Sequence, residues 1–314
     1  MKISAGILGT AIGPREAEID ARWLMAYAAA LGETAPEYLD TTRPAGIAAH
    51  PLFPVCYEWP LAVEVRVKTL AREIALRGVH VSHDLTIHRP PIAGARLLTT
   101  ATITQVEPRP AGAYVVTRFE TTDADGRPVS TTRYGSIHLG VQCEGAAAGE
   151  LDPHPVPLPE RERELDEGES AVRSLSPLGR GQGEGPPDWS ARIDVPANLA
   201  HVYSECARIW NPIHTDRAVA LAAGLPDIIL HGTATLALAV SEVLRREVIA
   251  AAGVRRIACR FGGMVRLPSS IMLHASAHDS GDGRQVRFRA LTADGSRALR
   301  DGCLVPTAHE RTSR

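Results

Sequence analysis

The chain has 314 residues, 44% of them hydrophobic and 22% charged, which suits one large domain or two of about 150 residues and excludes a disordered chain. Thirty-four basic residues against thirty-six acidic ones leave a formal charge of −2, which gives no electrostatic footprint for a nucleic-acid backbone. No run approaches the roughly 20 apolar residues of a membrane-spanning helix, and five scattered cysteines without a CxxC pair point to a reducing compartment, the cytoplasm, rather than a disulfide framework or zinc ribbon.

The opening segment, MKISAGILGTAIGPREAEID, carries one Lys and a short apolar stretch that Pro14 and several charges interrupt, so it reads as a strand and turn and not as a signal peptide. A helix is expected to begin near Tyr27 (WLMAYAAALG). Residues 43–60, RPAGIAAHPLFPVCYEWP, bring together Leu52, Phe53, Val55 and Trp59, apolar groups that either line a pocket or simply pack. Four strands then follow, VHVSHDLTIHRP, ARLLTTATITQVEPR, GAYVVTRFETTDADG and RPVSTTRYGSIHLGV. Their period-two alternation marks half-buried strands. On such a strand His80 and His83 point to opposite faces, so their zinc-like spacing gives no chelate, and Ser82, His83 and Asp84 cannot converge as a triad. These residues read as strand surface.

Residues 144–188 hold fourteen Gly or Pro among forty-five residues around a charged run, ERERELDEGE. A segment of that composition buries too little apolar surface to offset chain entropy and reads as a linker. Its GRGQGEG run has neither the preceding strand nor the following helix of a phosphate loop.

Beyond the linker the same order returns: a short strand, a helix near Tyr203 (LAHVYSECARIW), then RRIACRFGGMVRLP, SIMLHASAHDSGDG, RQVRFRALTADG and SRALRDGCLVP. Asp125-Gly126 and Asp294-Gly295 mark equivalent hairpins 169 residues apart,. Tyr27 to Asp40 and Tyr203 to Asp216 have equal length, with Pro36 aligned to Pro212. The shared order implies a duplicated α+β unit, residues 1–143 and 189–314. In this alignment Glu33 stands at Ile209 and Tyr38 at His214; Glu33 reads as a solvated or helix-capping residue.

The segment 203–240, YSECARIWNPIHTDRAVALAAGLPDIILHGTATLALAV, contains Asn211, Pro212, Ile213, His214, Asp216, Ala218, Ala222, Gly224, Pro226, His231 and Gly232. This spacing resembles the signature of MaoC-like dehydratases and (R)-specific enoyl-CoA hydratases. The resemblance implies a double hotdog, two tandem repeats each with a long helix wrapped by an antiparallel sheet. In it the amino-terminal repeat has lost catalysis and shapes the substrate pocket. The implied reaction is reversible hydration of an enoyl thioester to a 3-hydroxyacyl thioester, on coenzyme A or an acyl carrier protein, with no metal or redox cofactor.

That chemistry needs a base for water, an acid for the α-carbon and a donor for the charge that develops on the thioester oxygen. By resemblance His214 is the base, Asn211 orients the site and the Gly232 amide is the donor, with TATLALAV supplying a helix whose N-terminus adds positive potential. His231 either contacts ligand or holds the turn. One position departs from the pattern: the family's catalytic aspartate falls on Ile209, which can neither take nor give a proton. Three alternatives remain open here. Another acid reaches the site, with Glu205, Asp216 and Asp227 as candidates; His214 suffices; or the site binds thioesters without hydrating them, or performs other hotdog chemistry such as hydrolysis or isomerisation. Arg208 is placed to meet a substrate carboxylate or a carrier phosphate, or else lies on the surface. Ile209, Trp210, Phe53 and Trp59 are the expected pocket residues. Oligomeric state stays open: a double hotdog is already an internal pseudodimer, yet exposed sheet edges lead such units to pair further, as a dimer of double hotdogs.

Overall fold

The computed structural model describes residues 1–145, 186–280 and 283–307. Residues 146–185 of the expected linker, including its glycine run, lie outside the described residues. In chain order the helices are α1 (Ala21–Ala30), α2 (Pro36–Leu39), α3 (Pro54–Thr69), α4 (Arg72–Ala75), α5 (Leu199–Ala207), α6 (Arg217–Ala222) and α7 (Gly232–Glu247). The strands of the first half are β1 (Lys2–Ser4), β2 (Ala11–Glu18), β3 (Gly78–Ile87), β4 (Arg96–Arg109), β5 (Gly112–Asp123), β6 (Pro128–Leu139) and β7 (Gln142–Glu144). Those of the second are β8 (Trp189–Val195), β9 (Val254–Phe261), β10 (Ser269–Ser280), β11 (Gly283–Thr292) and β12 (Arg297–Pro306).

Ten strands form one antiparallel sheet in the order β2-β4-β5-β6-β3-β9-β12-β11-β10-β8, and β1 pairs with β7 in a separate parallel ribbon. Outward from the β3–β9 seam, both halves run in the same sequence: the strand after the long helix, the last hairpin strand, the middle one, the first one, and the strand before α1 or α5. The duplication read from the sequence is therefore a mirror order about the seam. There Ser82 pairs with Arg260, Asp84 with Ala258 and Thr86 with Arg256. Arg256 Nε donates to Asp84 Oδ1 across the same junction at 2.8 Å.

Local chemistry explains the elements. Asp125-Gly126 and Asp294-Gly295 close the β5–β6 and β11–β12 hairpins, with both glycines at positive φ, 79° and 83°, where an L side chain is strained. Helix α1 starts at Ala21, ahead of the position expected from the sequence, because the Asp20 carboxylate accepts from the Trp23 N–H at 2.7 Å and caps it,. Helix α3 is the element the sequence hides. Pro54 occupies its first turn, where no partner for an N–H is lost, and Pro60 interrupts its interior,. Burial of Val55, Cys56, Tyr57, Leu61, Ala62 and Val65 holds it together regardless, since packing outweighs local propensity.

The two halves share a core. Tyr27 of α1 and Tyr203 of α5, aligned in the sequence, are both fully buried and meet hydroxyl to hydroxyl at 3.4 Å. Pro36 and Pro212 each open a short helical turn. Glu33 is buried beside Tyr38, only 9% exposed, and not solvated as its sequence context suggests. Among the described residues, no helix is long and apolar enough to cross a membrane.

Candidate active site

A cavity of about 190 Å³ opens between α3, the first part of β3 and the segments that flank α7. Its walls come from both halves. Val55, Glu58, Trp59, Ala62 and Arg66 project from α3, His80 and His83 from β3, and Phe119 and Tyr134 from β5 and β6. The second half gives Ile209, Asn211, Ile213, His214, the stretch from Ile229 to Thr233, Thr235 and the stretch from Phe261 to Val265.

The motif residues gather on one side. Pro212 starts a short 3-10 turn that ends at His214 and brings its ring, 9% exposed, to the cavity wall. His214 Nδ1 lies 2.8 Å from the Ile229 carbonyl. A carbonyl only accepts, so Nδ1 carries the proton and Nε2 is left as the acceptor. Burial holds the imidazole pKa down at about 4, against the opposing pull of that carbonyl, so the ring is neutral at pH 7. His231 stacks on it, centroids 3.7 Å apart, and its own Nε2 meets Ser204 Oγ at 3.1 Å. Burial, then the neighbouring His214, also depress the His231 pKa.

His231 is the residue before α7, and Gly232 is that helix's first residue. The amides of a first turn have no partner within the helix and lie at the positive end of its dipole. A Cβ on Gly232 would come within 3.1 Å of the Phe261 ring, so glycine keeps the approach to this amide open. The site therefore offers a neutral imidazole acceptor, a helix-terminal amide donor and the amide side chain of Asn211 around one cavity.

The remaining expectations divide. Ile209, 4% exposed, and Trp59 line the cavity, and Arg66 lies 4.9 Å over the Trp59 ring. Trp210 does not: it is 61% exposed and outside the cavity, because the chain leaves α5 through a left-handed Arg208 and buries Ile209 instead. Phe53 is also elsewhere, fully buried against Trp23, Tyr27 and Tyr57, and Leu52 joins it in the core. Phe53→Ala is expected to cost about 3–5 kcal/mol of stability, read as a lowered denaturation midpoint, with KM little changed.

None of the candidate acids named from the sequence lines the cavity. Asp216 caps α6 by accepting from the Ala218 and Val219 amides. Asp227 faces Arg217 at 3.4 Å, and Glu205 is exposed. Arg208 sits over the Trp23 ring at 4.0 Å and near Asp20, and it is not among the residues that line the cavity.

Sequence reasoning missed two groups. Glu58 supplies the one carboxyl among the described lining residues; it is 4% exposed, accepts from Thr132 Oγ1 at 2.6 Å, and burial pushes its pKa up to about 8. His83 is 2% exposed, and His80 shares the cavity with it, ring centroids 5.5 Å apart. The expectation that these two histidines lie on opposite faces of the strand surface fails because β3 slips register against β6 between His80 and Ser82. A bulge there breaks the period-two alternation. Among the described residues no third His, Cys, Asp or Glu groups with them to hold a metal ion.

Residues 185–295 match the model of the MaoC like domain, and residues 7–132 match the FAS1-like, dehydratase domain region. The chain carries a MaoC-like domain on a double hotdog fold. The MaoC-like dehydratase of Phytophthora capsici superposes with a TM-score of 0.75 at 19% identity, over 97% of this chain and 98% of that one. A Mycobacterium tuberculosis protein with a double hotdog fold gives 0.57 at 17% identity, over 96% of each chain. Full-length peroxisomal multifunctional enzyme type 2 of Drosophila melanogaster gives 0.69 at 21% identity, over 95% of this chain and 48% of that one. At these identities the likeness speaks for the fold. No curated protein matches the chain in sequence. The MaoC-like match contains the whole segment from Asn211 to Gly232 around which the cavity is built.

Proposed function

We propose that the chain catalyses reversible hydration of an enoyl thioester, carried on coenzyme A or an acyl carrier protein, to the 3-hydroxyacyl thioester. The observation that carries this reading is the pairing of His214, whose Nδ1–H is committed to the Ile229 carbonyl, with the opening amide of α7 at Gly232, on one largely apolar cavity. His214 Nε2 takes a proton from water as the water oxygen bonds to the β-carbon. The electron pair of the double bond shifts toward the thioester oxygen, where the Gly232 N–H and the helix dipole meet the growing charge. The imidazolium then returns its proton to the α-carbon. In this scheme Asn211 orients water and thioester, and His231, held by Ser204, fixes the start of α7.

Ile209 favours a second reading, in which the pocket binds or hydrolyses thioesters without hydrating them. One assay separates the readings. Hydratase activity appears as loss of the conjugated enoyl absorbance of crotonyl-CoA without thiol release. Thiol release alone indicates a thioesterase, and tight binding with neither change indicates a binding subunit.

A further inference from the structure

The cavity has a polar wall that the hydration scheme does not use. His83 is 2% exposed, lines the cavity, and neither ring nitrogen has a hydrogen-bond partner among the described residues. Glu58, on the facing helix α3, turns one carboxyl oxygen to Thr132 and lines the same cavity. Thr132 lies opposite Leu85 and Tyr134 opposite His83 on the paired strands, so the two polar groups face the cavity from adjoining positions. Leaving a buried polar group unpaired works against folding. The fold does not require it: the next inward positions of β3, Leu85 and Ile87, are buried and apolar. A cavity meant only for an alkyl chain gains nothing from a histidine here.

We propose that His83 and Glu58 form a subsite that hydrogen-bonds an uncharged oxygen substituent, a hydroxyl or keto group, on the acyl chain of the thioester. The proposal rests on the thioester reading above and specifies its substrate class. A neutral imidazole offers one donor and one acceptor, and a protonated carboxyl offers a donor, which matches a hydroxyl or carbonyl and supplies no counter-charge for a carboxylate. Burial keeps both groups neutral at pH 7, with His83 held down at about 4 and Glu58 pushed up to about 8. The one Lys or Arg among the described lining residues, Arg66, turns its Nε back to the Ala62 carbonyl and lies over Trp59.

Calorimetric titration of the full chain with saturated acyl-CoAs tests the subsite without needing turnover. The series has matched length: a plain chain, chains with one hydroxyl walked outward from beyond the third carbon, and a chain ending in a carboxylate. One hydroxylated member is expected to bind at least about tenfold more tightly than the plain chain. His83→Leu should abolish that preference while the plain chain binds unchanged or more tightly, and His83→Gln, which keeps a donor and an acceptor, should retain part of it. If His83→Leu fails to fold, the wild-type series decides by itself. Equal affinity for plain and hydroxylated chains, tightest binding of the carboxylate, or an equal loss for every ligand in His83→Leu overturns the proposal. Hydration of crotonyl-CoA alongside no oxygen preference overturns the subsite alone, whereas no acyl-CoA binding at all overturns the thioester reading and the subsite with it.

Discussion

Replacing His214 by alanine is expected to lower kcat for enoyl-thioester hydration by about two to four powers of ten, the range for losing a positioned general base. KM should change little, because the Gly232 amide and the apolar walls contributed by Trp59, Ile209 and Phe261 remain. Steady-state kinetics separates this from a binding role, which would raise KM and leave kcat intact. The pH profile gives a second signature. The base must be unprotonated, and burial holds His214 at about 4, so kcat/KM should stay level as pH falls through 6.5 to about 5, with no acid limb in the ordinary histidine range. An acid limb near 6.5, the ordinary histidine range, would assign the proton transfer to a group more exposed than His214.

One catalytic constellation is expected in a molecule with two repeats, and the packing explains the asymmetry. At the place of His214 the first repeat has Tyr38, 2% exposed, packed at a ring-centroid distance of 6.3 Å from His50. His50 is 1% exposed, with Nε2 bound to Ser241 of α7 and Nδ1 accepting from the Leu52 amide. Burial pushes the Tyr38 hydroxyl well above the usual tyrosine range, with Glu33 adding to it. Neither side chain lines the cavity. The first repeat contributes its helix α3 and strand β3 to the surviving site instead, so the cavity depends on the seam between the repeats.

The readable parts of the sequence were those whose signal is local. The run from Asn211 to His214 and the His231-Gly232 pair carry their geometry in a few adjacent residues, and the Asp-Gly turns fix two hairpins by backbone conformation alone. Glu58 and His83 were not legible for two different reasons. The prolines at 54 and 60 mask α3 as irregular chain, which leaves Glu58 without a face. The bulge after His80 shifts strand parity in a way that depends on pairing with β6, a partner some fifty residues away. The same limit accounts for Trp210 and Phe53: an aromatic beside a motif looks like a pocket wall, and only the packed chain shows one turned to solvent and the other into the core.

The buried titrating groups also set an expected stability profile, with a maximum close to pH 6.5. Burial lowers His83 and His214 to about 4 and His50 to about 3, and depresses His80 and His231 in the same sense. Between these values and 6.5 the unfolded chain binds more protons than the folded one, so stability falls as pH falls. Glu58 acts in the opposite sense. Its folded pKa is raised to about 8, so the folded state holds a proton that the unfolded chain has released, and stability falls as pH rises from 6.5 toward 8. On the alkaline side this one group amounts to about 2 kcal/mol, at about 1.4 kcal/mol per pH unit. On the acid side at least three histidines oppose one glutamate, for a net loss of about 3 kcal/mol per unit. Denaturant midpoints measured from pH 4.5 to 8 should trace this asymmetric dome. Glu58→Gln keeps an acceptor for Thr132 and is expected to flatten the alkaline slope while leaving the acid slope steep. An unchanged alkaline slope in that variant would show that Glu58 ionises in the ordinary carboxylate range and that another group governs stability above pH 6.5.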